Sequence, residues 1–253
     1  MNLKPSYDIE EIQLEYYDAK TIKIILSNLK NYTKLKKFNC YSCHLMELPD
    51  LPDSLSSLNC SDNKLKKLPN LPDSLSSLDC SDNKLIKLPN LPNSLIKLNC
   101  ESNKLIKLPD LPNSLRIINC RFNNLVELPD LPYSLVDLYC VCNNLIELPN
   151  LPNSLTDLNC SYNNLTELPD LPNSLTHLFC SYNNLDLIYS NLEIKTINET
   201  KSKNRIIKRM KLLNRTLLLE HSARITMNPK RIERLLDNLE IDFFDGSFDT
   251  LTY

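Results

Sequence analysis

The chain has 253 residues and a formal net charge of −2, and it contains 16 prolines, ten cysteines and one glycine, Gly246. So little glycine excludes collagen, glycine-rich linkers and the glycine-rich loops that hold phosphates. No stretch approaches the roughly 18 consecutive apolar residues of a transmembrane helix, so no membrane insertion is predicted. Residues 1–8 lack the basic and then apolar run of a signal peptide, and secretion is therefore not expected.

Residues 1–34 precede the periodic part of the chain and are predicted to form an N-terminal cap. From Ala19 to Leu29, apolar residues recur at the spacing of an amphipathic helix. The segment is too short for an independent domain. Its apolar side chains are therefore expected to cover the first edge of the structure that follows.

Residues 35–187 carry a 20-residue repeat in eight copies, the last of them truncated. A full copy reads Leu-x-x-Leu-x-Cys-x-x-Asn-x-Leu-x-x-Leu-Pro-x-Leu-Pro-x-Ser, as from Leu55 to Ser74. Within it, Leu58 and Cys60 alternate with polar residues, which is the period of a half-buried strand. Ordering one turn costs on the order of 30 kcal/mol, which exceeds the gain from burying its leucines. The turns must therefore stack into a solenoid.

Two further columns of the repeat predict how the turns are built. The asparagine at the bend after each strand, such as Asn63, has the donor and acceptor groups to satisfy backbone groups of adjacent turns. The two prolines of each turn, such as Pro69 and Pro72, remove amide donors and disfavour helix. The side of the solenoid away from the strands is therefore expected to be extended or polyproline-like.

The cysteines are interpreted as a reduced, buried packing column rather than as disulfides. In-register parallel neighbours suit disulfide geometry badly, and buried free cysteine packs as a small hydrophobe. Cys40 and Cys43 have a zinc-like spacing, but no second Cys/His pair follows at a metal-site distance, so no metal is predicted. Cys142 falls in another column and is expected to be exposed. Reduced thiols also favour an intracellular, reducing compartment.

The repeat resembles the leucine-rich repeat family over residues 35 to about 187. This resemblance implies an α/β repeat solenoid with a parallel β-sheet on its concave face, an extended or polyproline convex side and helical terminal caps. The tandem Leu-Pro-x-Leu-Pro turns are similar to the short repeats of bacterial secreted effector proteins. Some of those effectors carry a ubiquitin-ligase domain, but the tail of this chain is too small for that domain and lacks its nucleophilic cysteine.

The chain as a whole looks like the leucine-rich repeat proteins that giant DNA viruses of amoebae encode. The resemblance lies in the Leu-Pro-Asp-Leu-Pro-Asn-Ser-Leu turns and in the cysteine column. It implies a viral protein of the host cytoplasm, although protozoa with AT-rich genomes have a similar composition.

The strand positions that the core does not use are predicted to face the concave side. The first turns present small and acidic groups there, whereas the later turns present arginine, histidine and aromatic side chains. Such side chains dominate protein-binding sites. Because aromatic residues also suit strands in general, a solvent-facing sheet without a partner is the alternative. The predicted partner-binding residues are Arg116, Arg121, Phe122, Tyr139, Tyr162, His177, Phe179 and Tyr182.

Residues 188–253 lose the repeat and are predicted to form a helical, basic C-terminal cap. Residues 200–234 hold eleven Lys or Arg residues against two Glu residues. Such a segment can seal the last turn, and it can also bind nucleic acid or an anionic surface. The basic residues of this alternative site are Lys201, Lys203, Arg205, Lys208, Arg209, Lys211 and Arg215.

No catalytic pattern is found in the sequence. The three histidines lie in separate contexts, and nucleophile-elbow, phosphate-loop and zinc motifs are missing. The sequence therefore predicts a monomeric, non-enzymatic module without a cofactor that binds a protein partner on its concave face. The alternatives are nucleic-acid or anionic-surface binding through the tail, and a substrate adaptor for a ubiquitin ligase.

Overall fold

The structure, a computed structural model, describes residues 8–14 and 17–185. The predicted C-terminal cap, with all the basic residues of the alternative site, lies outside the described residues. The described residues form a nine-stranded parallel sheet in which each strand pairs with the next along the chain. The strands are β1 (Glu11–Gln13), β2 (Lys37–Asn39), β3 (Ser57–Asn59), β4 (Ser77–Asp79), β5 (Lys97–Asn99), β6 (Ile117–Asn119), β7 (Asp137–Tyr139), β8 (Asp157–Asn159) and β9 (His177–Phe179).

The pairing of β2 to β9 follows the 20-residue period without a shift. Leu58 lies opposite Leu78, and Leu78 lies opposite Leu98. Seven complete turns therefore separate β2 from β9. The predicted solenoid of stacked turns with one parallel sheet is confirmed.

The N-terminal segment adds a strand that the sequence did not predict. β1 pairs with β2, and this places the buried Ile12 opposite the buried Phe38. The helix α1 (Ala19–Ser27) follows and begins at Asp18, whose carboxylate accepts a hydrogen bond of 2.9 Å from the backbone N–H of Thr21. The helix ends before the predicted Leu29, because a 3₁₀ turn over residues 29–31 replaces its last turn.

The core consists of leucines from every turn and is completed by the cysteine column. In a typical turn, Leu55, Leu58, Cys60 and Leu65 are each exposed by no more than 1%. Between β2 and β9, the segments that return from one strand to the next contain no helix, as their prolines predict. In the described residues, the helix α1 and the 3₁₀ turn over residues 29–31 lie before β2, and the expected helical caps stay a prediction.

The asparagine column links each turn to the one before it, as predicted. Asn103 Oδ1 accepts a hydrogen bond of 2.9 Å from the N–H of Leu85, and its Nδ2 donates to the carbonyl oxygens of Cys80 (3.0 Å) and Cys100 (3.2 Å). The Oδ1 contact and the pair of carbonyl contacts recur at Asn63, Asn83, Asn123, Asn143, Asn163 and Asn183. Backbone groups at the bends are thereby satisfied away from water.

A second ladder of hydrogen bonds explains the serine that ends each repeat. Ser114 Oγ donates to the carbonyl oxygen of Leu95 at 2.6 Å, and Ser174 Oγ donates to that of Leu155 at 2.6 Å. Just before the next strand, the N–H of Leu115 donates to the carbonyl oxygen of Pro112 at 3.0 Å and closes a turn. Motif positions with no part in the hydrophobic core thus hold neighbouring turns together.

The cysteine column is buried and its thiols are free, as predicted. Burial raises the pKa of the Cys120 thiol to about 12 and raises the pKa of Cys60 well above its usual value. Cys142 lies outside this column and is half-buried rather than fully exposed.

Candidate functional site

One side of the sheet is open to solvent. We define the open face as the first and third residues of each strand together with the second residue after each cysteine of the buried column. In β6, β7 and β8 the middle residue is buried and its two neighbours are partly exposed. In β9 the third residue, Phe179, is 40% exposed.

The open face includes a row of residues with left-handed backbone conformation. The second residue after each buried cysteine has a φ angle between 50° and 56° in all eight turns. In the first seven of these turns its N–H donates to a carbonyl oxygen of the next turn, as Tyr162 does to Ser181 at 2.9 Å. For residues other than glycine this conformation costs about 1–2 kcal/mol, and asparagine and aspartate tolerate it best. Asp62 and Asp82 fit this preference in the early turns.

In the later turns, bulky side chains occupy the same strained position. Phe122, Tyr162 and Tyr182 lie there and are 51%, 50% and 70% exposed. The rings of Tyr162 and Tyr182 stack with their centroids 4.3 Å apart and their planes 13° apart. Neither the backbone nor the core favours aromatic residues here, and strain held in an exposed apolar group is typical of binding sites.

A second aromatic group lies nearer the middle of the sheet. The guanidinium carbon of Arg121 lies 4.5 Å from the centroid of the Tyr139 ring, within cation–π distance. Both residues line a shallow depression of about 510 Å³ that also includes Lys97, Asn99 and Asn119. Partial burial and the nearby carboxylates raise the pKa of Tyr139, while Arg121 opposes that rise. The depression thus offers one aromatic ring, two cations, the carboxylate of Asp79 and two amides to a ligand.

The residue directly after each buried cysteine was predicted to be exposed, and this prediction is wrong in several turns. Ser61, Ser81 and Ser161 are buried. The reason is local, because both the N–H and the hydroxyl of Ser61 donate to Asn59 Oδ1, at 3.0 and 2.6 Å. Arg121 occupies this position and is correspondingly half-buried. Its Nε is the single buried side-chain nitrogen or oxygen without a hydrogen-bond partner among the described residues.

Acidic groups lie beside His177 on the last three strands. Asp137, Asp157 and His177 are aligned in register on β7, β8 and β9. His177 Nδ1 lies 2.9 Å from Asp157 Oδ1, and the hydroxyl of Thr156 donates to Asp157 Oδ2 at 2.8 Å. Burial, and then the charge of Asp157, raise the pKa of Asp137. The two aspartates are not among the predicted binding residues, although they occupy the same column of the repeat as His177.

The structure divides the predicted binding residues into two groups. Arg121 pairs with Tyr139 near the depression, whereas Tyr162 and Tyr182 stack at the far end of the sheet. His177 and Phe179 lie on β9, in the same turn as Tyr182. Phe122 lies two turns before Tyr162 in the left-handed row. Arg116 is exposed just before β6, and its charge opposes the rise in the pKa of Asp137. Its side chain forms no hydrogen bond or ion pair with another described residue.

The described residues contain neither a metal-binding cluster nor a membrane-spanning helix. Among the described residues, no group of three or more His, Cys, Asp or Glu side chains is arranged to hold a metal ion. Within that part of the chain, no helix has the length and hydrophobicity that crossing a bilayer requires.

The solved structures that resemble this chain are leucine-rich repeat proteins. YopM, a leucine-rich effector protein from Yersinia pestis, is 41% identical with a TM-score of 0.58; the match covers 60% of this chain and 44% of YopM. A Shigella effector leucine-rich repeat domain is 34% identical with a TM-score of 0.54; the match covers 60% of this chain and 75% of that domain. This chain therefore spans less than half the length of YopM. A scan against protein-family models and a search of curated proteins gave no match.

A third neighbour is a domain that includes a cysteine ladder of its own. The functional domain of InlJ from Listeria monocytogenes, which includes a cysteine ladder, is 31% identical with a TM-score of 0.54; the match covers 66% of this chain and 38% of that one. The resemblance to giant-virus proteins finds no support in these comparisons and stays a prediction. With its 20-residue turns, single parallel sheet and 34% identity across three-quarters of the Shigella domain, the chain belongs to the leucine-rich repeat proteins.

Proposed function

We propose that the chain is a protein-binding module whose partner docks on the open face from β6 to β9, on the concave side of the solenoid. Leucine-rich repeat neighbours are typically protein-interaction modules, and some of them occur in effectors. What carries the proposal is the left-handed row, in which Phe122, Tyr162 and Tyr182 hold exposed rings at a backbone position that disfavours them.

The chemistry of the open face indicates the kind of contact that it makes. Stacked and partly exposed rings bury large apolar area at low entropic cost, and such groups form the centre of protein interfaces. Beside them, His177 Nδ1 lies 2.9 Å from Asp157 Oδ1, and this places polar groups next to the rings. The partner is therefore expected to present an apolar segment to Tyr162, Phe179 and Tyr182, with polar groups over the aspartates.

The test is a triple substitution of Tyr162, Phe179 and Tyr182 by alanine. Affinity capture from cells that express the chain natively, with quantification by mass spectrometry, compares this variant with the wild type. Proteins enriched by the wild type should be lost, because the apolar centre of the interface is removed. Circular dichroism and thermal unfolding should show an intact fold, since all three side chains project into solvent.

Tyr133→Ala is the matched control, because Tyr133 is 88% exposed on a return segment away from the open face. It should capture the same proteins as the wild type. If the triple variant also captures them, the partner does not use these rings, and the proposal is wrong.

The alternatives are proposals about other parts of the chain. Nucleic-acid or anionic-surface binding would use the basic residues from Lys201 to Arg215, which lie outside the described residues. It predicts binding that weakens steeply with salt and is lost when residues 188–253 are removed. A ubiquitin-ligase adaptor would instead co-purify with ligase subunits. The absence of catalysis and an intracellular, reducing location also stay predictions.

A further inference from the structure

A column of exposed aliphatic side chains runs along the solenoid on a part of each turn that is separate from the open face. Ile86, Ile106, Val126 and Ile146 occupy the same position in four consecutive turns, directly after a buried leucine. They are 61%, 59%, 52% and 61% exposed. We call these four residues the flank ridge. Scattered exposed hydrophobic residues are normal, whereas a contiguous apolar strip with a charged border is typical of an interaction surface.

The charges beside the flank ridge change sign at its midpoint. The residue after each ridge member is Lys87, Lys107, Glu127 or Glu147, and the same column holds Lys67 in the turn before the ridge and Glu167 in the turn after it. All six side chains are exposed, and none forms an ion pair with another described residue. The border is therefore positive along one half of the ridge and negative along the other.

This pattern is complementary to itself when it is reversed. About a point midway between Ile106 and Val126, reversal places Lys107 against Glu127, Lys87 against Glu147 and Lys67 against Glu167. The same operation places Ile106 against Val126 and Ile86 against Ile146. Every apolar residue meets an apolar residue, and every lysine of the border meets a glutamate.

We propose that the flank ridge binds the flank ridge of a second copy of this chain, with the two solenoids antiparallel about a two-fold axis between the turns of Ile106 and Val126. A two-fold interface uses the same surface on both partners, so each Lys–Glu pairing occurs twice. Charge complementarity selects this arrangement. A shift that centres the axis on Lys107 places two copies of Lys107 against each other, and like charges disfavour that register.

The proposal goes beyond the function proposed above and contradicts the monomer expected from the sequence. The ridge follows the asparagine bend, whereas the open face belongs to the strands and the left-handed row. The two surfaces therefore do not share residues. A dimer leaves the open face of each copy available to a protein partner, so either proposal can fail without the other.

The test is charge reversal within the pairing, measured on the full chain by sedimentation velocity over a concentration series. The wild type should dimerise. Lys107→Glu and Glu127→Lys each replace two attractive contacts by two repulsive ones, and each should weaken the dimer by about tenfold. The double variant restores both pairings with the signs exchanged and should return the dissociation constant to within about threefold of the wild type.

Two further variants complete the design. Ile106→Asp places a charge at the centre of the apolar contact and should weaken the dimer by at least about a hundredfold. Lys97→Glu is the matched control on the open face and should not change it. Circular dichroism identifies any variant that fails to fold. A wild type that stays monomeric, single reversals without effect, or a double variant that fails to restore the dimer would each overturn the proposal.

Discussion

The asparagine ladder gives the sharpest test of how the turns are held together, and Asn103 lies in the middle of it. Its Oδ1 accepts from the N–H of Leu85 at 2.9 Å, and that N–H has no other acceptor among the described residues. Its Nδ2 donates to the carbonyl oxygens of Cys80, Cys100 and Glu101 at 3.0 to 3.2 Å. Asn103→Ala removes all of these contacts while leaving the apolar core unchanged.

The expected loss follows from which groups stay unpaired. The buried N–H of Leu85 loses its acceptor, which costs about 1–3 kcal/mol, and each donated hydrogen bond contributes a further 0.5–1.5 kcal/mol or so. The carbonyl oxygen of Cys80 keeps a hydrogen bond of 3.2 Å from Asn83, so its loss is only partial. We therefore expect Asn103→Ala to lower the free energy of unfolding by about 2–5 kcal/mol, a large share of the total stability of a typical domain.

Urea unfolding followed by circular dichroism measures this difference. Asn113→Ala is the matched control, because it deletes an equivalent side-chain amide from an exposed turn position. The side chain of Asn113 forms no hydrogen bond with another described residue. The control should lie within about 0.5 kcal/mol of the wild type. If the two variants were equally stable, the bend asparagines would not hold adjacent turns together, and our account of the repeat would be wrong.

Two further predictions concern the left-handed row and the thiol column. Phe122→Gly should raise the free energy of unfolding by about 0.5–1 kcal/mol, because relief of the left-handed strain exceeds the entropic cost of glycine. Asn124→Gly is the control outside that conformation, and it should lower the free energy of unfolding. Thermal and urea unfolding compare the two variants. The pKa of Cys120 is about 12 in the folded state, well above the unfolded value of about 8.5. The stability that this thiol contributes should therefore be fully present below about pH 8.5. Above that pH the free energy of unfolding should decline by about 1.4 kcal/mol per pH unit for each such thiol. Cys120→Ala should make this decline shallower by about one thiol's share in urea unfolding between about pH 8.5 and 10.5, and an unchanged slope would contradict the assigned burial.

Much of the fold could be predicted because a strict 20-residue period places equivalent residues in columns. The register of the sheet, the burial of Cys100 and the hydrogen bonds of Asn103 all follow from stacking identical turns. β1 escaped prediction because three residues are too few to show a period. It extends the sheet at the first turn, where Ile12 lies opposite Phe38.

The candidate site was predicted only in part, because exposure at the bend depends on backbone conformation. Alternation along a strand predicts that Ser61 and Arg121 face solvent, but the chain bends there and Ser61 turns back onto Asn59. The flank ridge was missed for a related reason. Its residues look like variable positions in one repeat, and they form a strip only when the turns are stacked.

The residues of the proposed surfaces differ from the motif residues in what they do within the solenoid. The leucines, asparagines and serines of the motif contact adjacent turns, so the requirements of stacking account for them. The left-handed row is under the same backbone requirement in all eight turns, yet it holds Asp62 in an early turn and Tyr182 in the last one. A shared backbone cannot explain that change, and the strain makes the aromatic choice the less stable one. The difference supports the proposal of a partner outside the solenoid, which is why the rings rather than the depression carry the proposed function.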